Sequence, residues 1–274
     1  MSGLDDNLWD AICSTVVAVG KAIVLPGFFN LELLPVRTKT NIDDLVTDAD
    51  EGAERALESE LSRLLPGALF VGEEMVARDA SALAAIGEAE TAIIVDPIDG
   101  TWNFANGVPL FGMMVAITRY GETIAGAIHY PLTGETIRAR KGHGAFLHTP
   151  QGATNRLRVR AGRPVGEMAG LVAIPLFARS QQNDLAHRCT TFSRVTNFRC
   201  SAYEYRLIAQ GSMDFSLNAG LMPWDHAAGT LIHHEAGGYA ALLDGRFYTP
   251  TLTQGHLLLA QDKQRWEAVR SVLA

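Results

Sequence analysis

The sequence predicts a mixed fold, α+β in its first half and α/β in its second. Two patterns carry this reading. Between 4 and 160, two amphipathic helices precede a run of short strands joined by turn residues, the signature of a mainly antiparallel sheet. From 161 onward strands and helices alternate, as in an α/β layer. The change falls near 150–165 without the composition of a flexible linker. The halves 1–160 and 161–274 are therefore expected to pack together.

Leu4, Leu8, Ile12, Val16 and Val19 recur at helical spacing, and this first helix is expected to run out near Pro26-Gly27. Residues 27–43 have little period and read as a loop or short hairpin carrying Arg37 and Lys39. Asp44 to Asp50 leads into a second helix with Ala53, Leu57, Leu61 and Leu64 on its apolar face. Its first turn is acidic, which suits the helix dipole, and Pro66-Gly67 stops it. Leu69–Val71 is a short strand ending in Gly72-Glu73-Glu74, followed by a weak helix around 79–88. Met113–Arg119 and Thr123–Tyr130 form a hairpin, with further strands at 136–140, 144–148 and 156–160. In the second half, strands are expected at Leu171–Ile174, Met213–Leu217 and His256–Ala260. Helices are expected at 181–190, Tyr203–Gly211, Trp224–Gly237 and 263–273.

The chain is organised around Ala92-Ile93-Ile94-Val95-Asp96-Pro97-Ile98-Asp99-Gly100-Thr101. The β-branched run reads as a buried strand, and Pro97, which cannot donate to a ladder, is expected to end it at Asp96. Pro97 to Gly100 then reads as a turn that lets Asp96 and Asp99 converge. In a continued regular strand, residues three apart point to opposite faces. Converging carboxylates repel each other, so a cation is expected between them, and hard divalent cations take such oxygen ligands.

Composition narrows the function. A net charge of -7 with no basic stripe argues against nucleic acid as a partner. Cys13, Cys189 and Cys200 are odd in number and form no C-x-x-C, which fits a reducing compartment and a cytoplasmic setting. Asp5 and Asp6 stand where a secretory signal needs positive charge. No apolar run approaches the roughly 18 residues of a membrane span.

Acidic residues follow or adjoin apolar runs in three places: Glu73-Glu74, Asp96 with Asp99, and Trp224-Asp225. Taken singly each has a plain structural reading: a solvated pair, a turn residue, and a helix cap. His226 and the His233-His234-Glu235 run do not match the zinc helix spacing His-Glu-x-x-His and read as helix histidines.

In combination, these stretches change meaning. Gly72-Glu73-Glu74, Asp96-Pro97-Ile98-Asp99-Gly100-Thr101 and Trp224-Asp225-x-Ala-Ala-Gly, with Asp44-Leu45-Val46-Thr47 and Asp50, resemble the signature of the inositol monophosphatase family, the Mg²⁺-dependent, lithium-sensitive phosphatases. The motifs fall in the family's order over nearly the whole chain. The resemblance implies a layered α-β-α-β-α sandwich of the sugar-phosphatase type, a homodimer, and two or three Mg²⁺ per site. It implies that Glu73, Asp96 and the Ile98 carbonyl hold a first metal and that Asp96, Asp99 and Asp225 hold a second. Glu74 would lie behind them or near a weaker third. Asp50 and Thr101 would orient the attacking water beside Glu73, and Gly100-Thr101 would receive the phosphate oxygens, with Lys39 near the phosphate. Most metal ligands thus fall in 1–160, while 161–274 supplies Asp225 and substrate contacts.

The chemistry agrees: two cations roughly 3.5–4 Å apart activate a water, screen phosphorus and stabilise the leaving oxygen without a general-base histidine. The chain departs from inositol-selective relatives at Asn218, where those carry an acid seven places before the Trp-Asp aspartate. It also departs at Arg199-Cys200-Ser201-Ala202, where many have a Gly-Ser/Thr-Ala stretch. Arg199, Ser201 and Asn218 are the expected substrate contacts, and Arg199 has an alternative reading as the partner of a surface carboxylate. The expected reaction is hydrolysis of a small phosphate monoester, inositol monophosphate-like or a sugar phosphate. Alternatives are nucleotide 3'-phosphatase or fructose-1,6-bisphosphatase-type activity in the same fold, and a non-enzymatic binding role. A haloacid-dehalogenase-like mechanism is disfavoured, because its Asp-x-Asp-Gly-Thr template needs a closer carboxylate spacing.

Overall fold

The computed structural model describes residues 4–33, 35–39 and 45–274. The elements run α1 (Asp6–Val19), α2 (Leu25–Phe29), β1 (Val36–Thr38), β2 (Leu45–Thr47), α3 (Asp48–Leu64), β3 (Leu69–Gly72), α4 (Glu73–Arg78), α5 (Ser81–Ala85), β4 (Ala92–Asp99) and α6 (Thr101–Ala105). Five strands follow: β5 (Gly112–Arg119), β6 (Glu122–Tyr130), β7 (Glu135–Arg140), β8 (Gly144–His148) and β9 (Thr154–Arg156). The rest is β10 (Ala169–Val172), α7 (Arg179–Cys189), β11 (Arg194–Thr196), α8 (Ser201–Ala209), β12 (Phe215–Ala219), α9 (Pro223–Glu235), β13 (Tyr239–Leu242), β14 (His256–Ala260) and α10 (Lys263–Leu273).

β3 to β9 form a seven-stranded sheet in sequence order, parallel only between β3 and β4. A five-stranded mixed sheet has the order β11-β10-β12-β14-β13. Three apolar cores bind the layers. α1 and α3 cover one face of the larger sheet, where Ile12, Val16, Leu57 and Leu61 meet Ile93, Val95 and Val115. α8 and α9 lie between the sheets, with Tyr205, Ile208, Ala228 and Ile232 against Ile94, Ala116, Leu257 and Leu259. α7 and α10 close the far side through Leu185, Trp266 and Val269 on Phe215 and Leu258. The result is the α-β-α-β-α sandwich. Successive residues of β4 feed opposite cores, as strand geometry requires, and the whole strand is buried.

Several expectations need correction. β4 does not end at Asp96 but continues through Pro97 to Asp99. It does so by a bulge: Asp96 pairs with Met114 and Asp99 with Gly112, so one extra residue lies on β4. Pro97 sits inside that bulge, where no ladder N–H is needed. The first helix does not run out at Pro26-Gly27. It continues through a π turn over Gly20–Val24 into α2, with Pro26 in the first turn of α2, where its missing N–H costs little. The continuous helical stretch Asp6–Phe29, 24 residues long with an 18-residue window of mean hydropathy 1.9, is long and apolar enough to cross a membrane by length and composition, contrary to the sequence reading. Here its face of Trp9, Ile12, Cys13, Val16 and Val19 is buried in the α1–α3 layer. The expected strand at 156–160 is instead β9, at 154–156, and the strand at Leu171–Ile174 gives way to a 3-10 turn at Ile174–Leu176. β11 and β13 have no counterpart among the expected elements. The hairpin expected around Arg37 and Lys39 is the antiparallel β1–β2 pair, and Asp44 lies outside the described residues.

The central helix layer packs on the larger sheet by backbone approach. A Cβ on Gly126 of β6 would lie 2.7 Å from Ala228 Cα and 2.9 Å from its carbonyl oxygen. Backbone atoms cannot rotate away, so Gly126→Ala should cost about 1–3 kcal/mol. A urea midpoint equal to that of the parent would show that α9 does not press on the sheet there.

Candidate active site

The bulge in β4 decides where the carboxylates point. Met114 and Gly112, the partners of Asp96 and Asp99, are two apart and share a face, so Asp96 and Asp99 share one too. Gly100 follows in the left-handed region at φ 88°, and a Cβ there would meet the Leu110 carbonyl at 2.9 Å, so glycine suits this position. α9 brings Asp225 to the same place. Asp96, Asp99 and Asp225 each offer an oxygen within 4.8 Å of the other two. Asp225 is not the cap of α9: Met222 holds that position, and Asp225 lies inside the first turn.

Each carboxylate meets a different environment. Asp99 is tied to the start of α8, accepting from Ser201 N at 3.1 Å, Ala202 N at 2.5 Å and the Cys200 thiol at 2.9 Å. Burial pushes it up only to about 6, because those donors favour the charged form. Asp96 accepts from Ile98 N at 3.0 Å. Burial, then the charges of Glu73, Asp99 and Asp225, hold Asp96 well above its ordinary range. Asp225 is raised in the same way, by burial and then by Asp99 and Glu73.

A second group stands beside the first. Lys39 donates to Glu73 Oε1 and Glu74 Oε1, both at 2.7 Å. Burial lowers the Lys39 ammonium, but the two glutamates outweigh it and hold it charged. Burial and the Glu73 charge push Glu74 up to about 8. Glu54, which sequence reasoning missed, accepts from Glu74 N at 2.7 Å and so fixes the start of α4. Its burial was legible, since it lies on the helix face of Leu57 and Leu61, but its partner, delivered by tertiary structure, was not.

Asp50 forms a capping box with Thr47, whose N–H donates to its Oδ2 at 2.8 Å. Thr101 Oγ1 lies 3.1 Å from Asp50 Oδ1 and 3.0 Å from the Ile98 carbonyl. Burial raises Asp50 to about 7 against the pull of Thr47.

Asp99 and Asp225 open into a cleft of about 520 Å³, whose walls include Arg199, Ser201, Asn218, Pro175 and Leu176. The three expected substrate contacts are thus together, with Lys39 on the glutamate side. Arg199 lies over the Trp102 ring at 4.3 Å, on a residue sequence reasoning did not single out. Among the sequence-nominated ligands, Glu73 lies outside the close Asp96–Asp99–Asp225 group but acts on it through its charge. His226 and His233 are buried and hydrogen-bonded to Tyr205 and the Ala260 carbonyl, and burial holds both down to about 4. They are structural histidines. Glu235 accepts from the Gly142 and Gly144 N–H groups.

The donor set fits a hard divalent cation: it is all oxygen, anionic and closely spaced, and it is held at a cost that a cation would relieve. A stability prediction follows from Asp50 at about 7 and Glu74 at about 8, both above their ordinary 3.8 and 4.5. Such groups favour the folded state below the ordinary values and lose that contribution as pH climbs through the folded ones. In chelator the melting temperature should therefore fall as pH rises toward about 8 and level off above it, and the part of the fall between about pH 6.5 and 8 belongs to these carboxylates. His226 and His233 lose stability only below their ordinary 6.5, outside that window. Mg²⁺ at about 100 times its dissociation constant should add about 2.7 kcal/mol. Its effect should be largest at the alkaline end. Melting curves indifferent to both pH and Mg²⁺ would show that the carboxylates do not form one charged cluster.

The chain matches the inositol monophosphatase family over residues 8–273. It is 33% identical over 206 residues to the inositol-1-monophosphatase of Mesorhizobium japonicum, covering 74% of this chain and 73% of that one. It is 30% identical over 248 residues to the Nus factor SuhB of Pasteurella multocida, covering 87% and 85%. The fold superposes on the Thermotoga maritima IMPase with a TM-score of 0.81 and 25% identity, over 98% of this chain and 97% of that one. With its carboxylates at the end of β4 and the start of α9, the chain belongs to the inositol monophosphatase family.

Proposed function

We propose that the protein is a Mg²⁺-dependent phosphomonoesterase that hydrolyses a small phosphate ester, working in the cytoplasm as a homodimer with two or three cations per site. The observation that carries this reading is the meeting of Asp96, Asp99 and Asp225 at the mouth of a cleft large enough for such an ester. Glu73, Asp96, Asp99, Asp225 and the Ile98 carbonyl are the groups that would hold the cations. Bound divalent cations supply a lowered pKa for water and charge neutralisation at phosphorus.

The chain's own groups do the rest. Thr47 occupies Asp50 Oδ2, which leaves Oδ1 for the Thr101 hydroxyl. Thr101 Oγ1 can accept a hydrogen bond from an attacking water while it donates to Asp50, and Asp50, at about 7, can take up the proton near neutrality. Glu73 stands beside this pair and adds its charge to both Asp50 and Asp96. The N–H groups at Gly100-Thr101, which open α6, would receive phosphate oxygens, and the Lys39 ammonium balances charge on the glutamate side. The second half reads the rest of the ester through Arg199, Ser201 and Asn218.

Phosphate release should require Mg²⁺, and Asp96→Asn should lower kcat/KM by at least about a hundredfold. Circular dichroism and the melting curve would confirm that the variant is folded. Parent-like turnover by a folded variant would sink the metal assignment. Substrate choice is checked separately. If Asn218 faces the ester, Asn218→Glu should move preference toward inositol monophosphate relative to other sugar phosphates. The same ranking in parent and variant would remove Asn218 from the substrate wall.

A further inference from the structure

Only part of α9 serves the reaction. Its first turn carries Asp225 into the active site. Ala227 and Leu231, further along the helix, form one wall of a second cavity of about 490 Å³. The start of β6 bounds that cavity through Thr123, and β13 bounds it through Tyr239. The loop after β13 completes it with Phe247 and Tyr248. The volume is that of a small-molecule site, and the reaction uses none of the residues that line it.

The walls set the chemistry of an occupant. The Tyr239 and Phe247 rings meet edge to face, their centroids 6.1 Å apart, and Tyr248 supplies a third ring. Phe247 is 68% exposed, one of the few large apolar side chains left open to water. A flat ring in the cavity would cover it in the offset or edge-on contact that aromatic pairs favour. Charge is not what the cavity offers. Lys141 and Glu122 both line it, but they pair with each other, and His234 is exposed to water. An ionic ligand would have to break that pair, whereas a neutral one would not.

Tyr248 joins the cavity to the active site. Its ring meets the His226 ring edge to face, centroids 6.1 Å apart, and His226 directly follows Asp225. Its hydroxyl is buried with no hydrogen-bond partner among the described residues, and it lies where the Asp225 charge acts on it. Resting in part on the phosphomonoesterase reading, we propose that the cavity behind α9 is a second ligand site, that it takes a flat, uncharged aromatic molecule, and that its occupation is felt at Asp225 through Tyr248 and α9. A cation relieves the repulsion around Asp225 and so fixes the first turn of α9. A ligand in the cavity holds the same helix further along. Each spares the other part of the cost of ordering α9, so the two bind cooperatively.

The probe is Prodan, a neutral planar naphthalene dye whose emission shifts to the blue in an apolar site. The parent should bind it saturably. Phe247→Ala removes an exposed ring and should weaken binding by about tenfold. Thr123→Trp fills the cavity from its rim and should abolish binding, and melting curves check that both variants are folded. Naphthol should displace the dye at least about tenfold better than naphthoate, which has the same rings and a negative charge. Mg²⁺ should tighten the dye by about fivefold, and the dye should tighten Mg²⁺ by the same factor. No saturable blue shift in the parent, or parent-like affinity in both folded variants, overturns the site. Naphthoate competing as well as naphthol overturns the uncharged ligand class. Dye affinity indifferent to Mg²⁺, in a protein whose melting temperature Mg²⁺ raises, overturns the link to Asp225. If melting and phosphate release are both indifferent to Mg²⁺, the phosphomonoesterase reading falls instead, and dye binding still decides the site.

Discussion

Gathering carboxylates in a buried place is the constraint that the site is built around. Two unit charges 4 Å apart repel by about 4 kcal/mol at an effective dielectric of 20. The chain offsets this unevenly. Asp99 receives two N–H groups and a thiol from the start of α8. Asp50 is held by Thr47, and Glu73 and Glu74 share Lys39. Asp96 receives one N–H, from Ile98, and Asp225 receives no backbone or cationic donor among the described residues. The largest uncompensated charge therefore lies between Asp96 and Asp225, where β4 meets α9. That imbalance separates a cation site from an ordinary buried ion-pair network.

The geometry that creates the imbalance is one extra residue in one strand. Without the bulge, Asp96 and Asp99 would stand on opposite faces of the larger sheet, one in the α1–α3 layer and one in the α8–α9 layer. With it, both face α8 and α9. The bulge is stable because Pro97 needs no ladder partner and Gly100 takes a backbone conformation costly to other residues. A proline in a central strand, usually evidence against the strand, is here what lets the strand carry its ligands.

This explains what sequence could and could not say. The Asp96–Thr101 stretch was legible because Pro and Gly punctuate an apolar run. The layer order followed from a family resemblance carried by a few motifs. Long amphipathic elements such as α3 and α10 were legible from period alone. The π turn at Gly20–Val24 was not, since it changes the hydrogen-bond register without changing the apolar stripe. β11 and β13 were missed because short edge strands have too few residues to show a period. Glu54 and Glu204 read as ordinary helix glutamates, since the groups that meet them come from elsewhere: Glu74 lies twenty residues past Glu54, and Phe198 lies in the loop before α8. A carboxylate's role is visible in sequence when its partner lies in the same motif, and invisible when tertiary structure delivers the partner.

The same distinction separates chemistry from selectivity in this fold. Asp50, Asp96, Asp99 and Thr101 come from α3, β4 and α6, in the larger sheet and its helices, tied by contacts such as Thr101 to Asp50 and to Ile98. A change at any of them alters the charge balance of all. Arg199, Glu204 and Asn218 come from α8, the loop before it and the smaller sheet, and they share the cleft with Asp99 and Asp225. Asp99 is held by α8 through the backbone N–H groups of Ser201 and Ala202, which most side-chain changes leave in place. The wall of the cleft can therefore vary its charge and hydrogen bonding while the groups proposed to hold phosphate and cation keep their positions. A scaffold so divided can accommodate different esters on the proposed hydrolytic centre, and Asn218 is the residue this chain places on that wall.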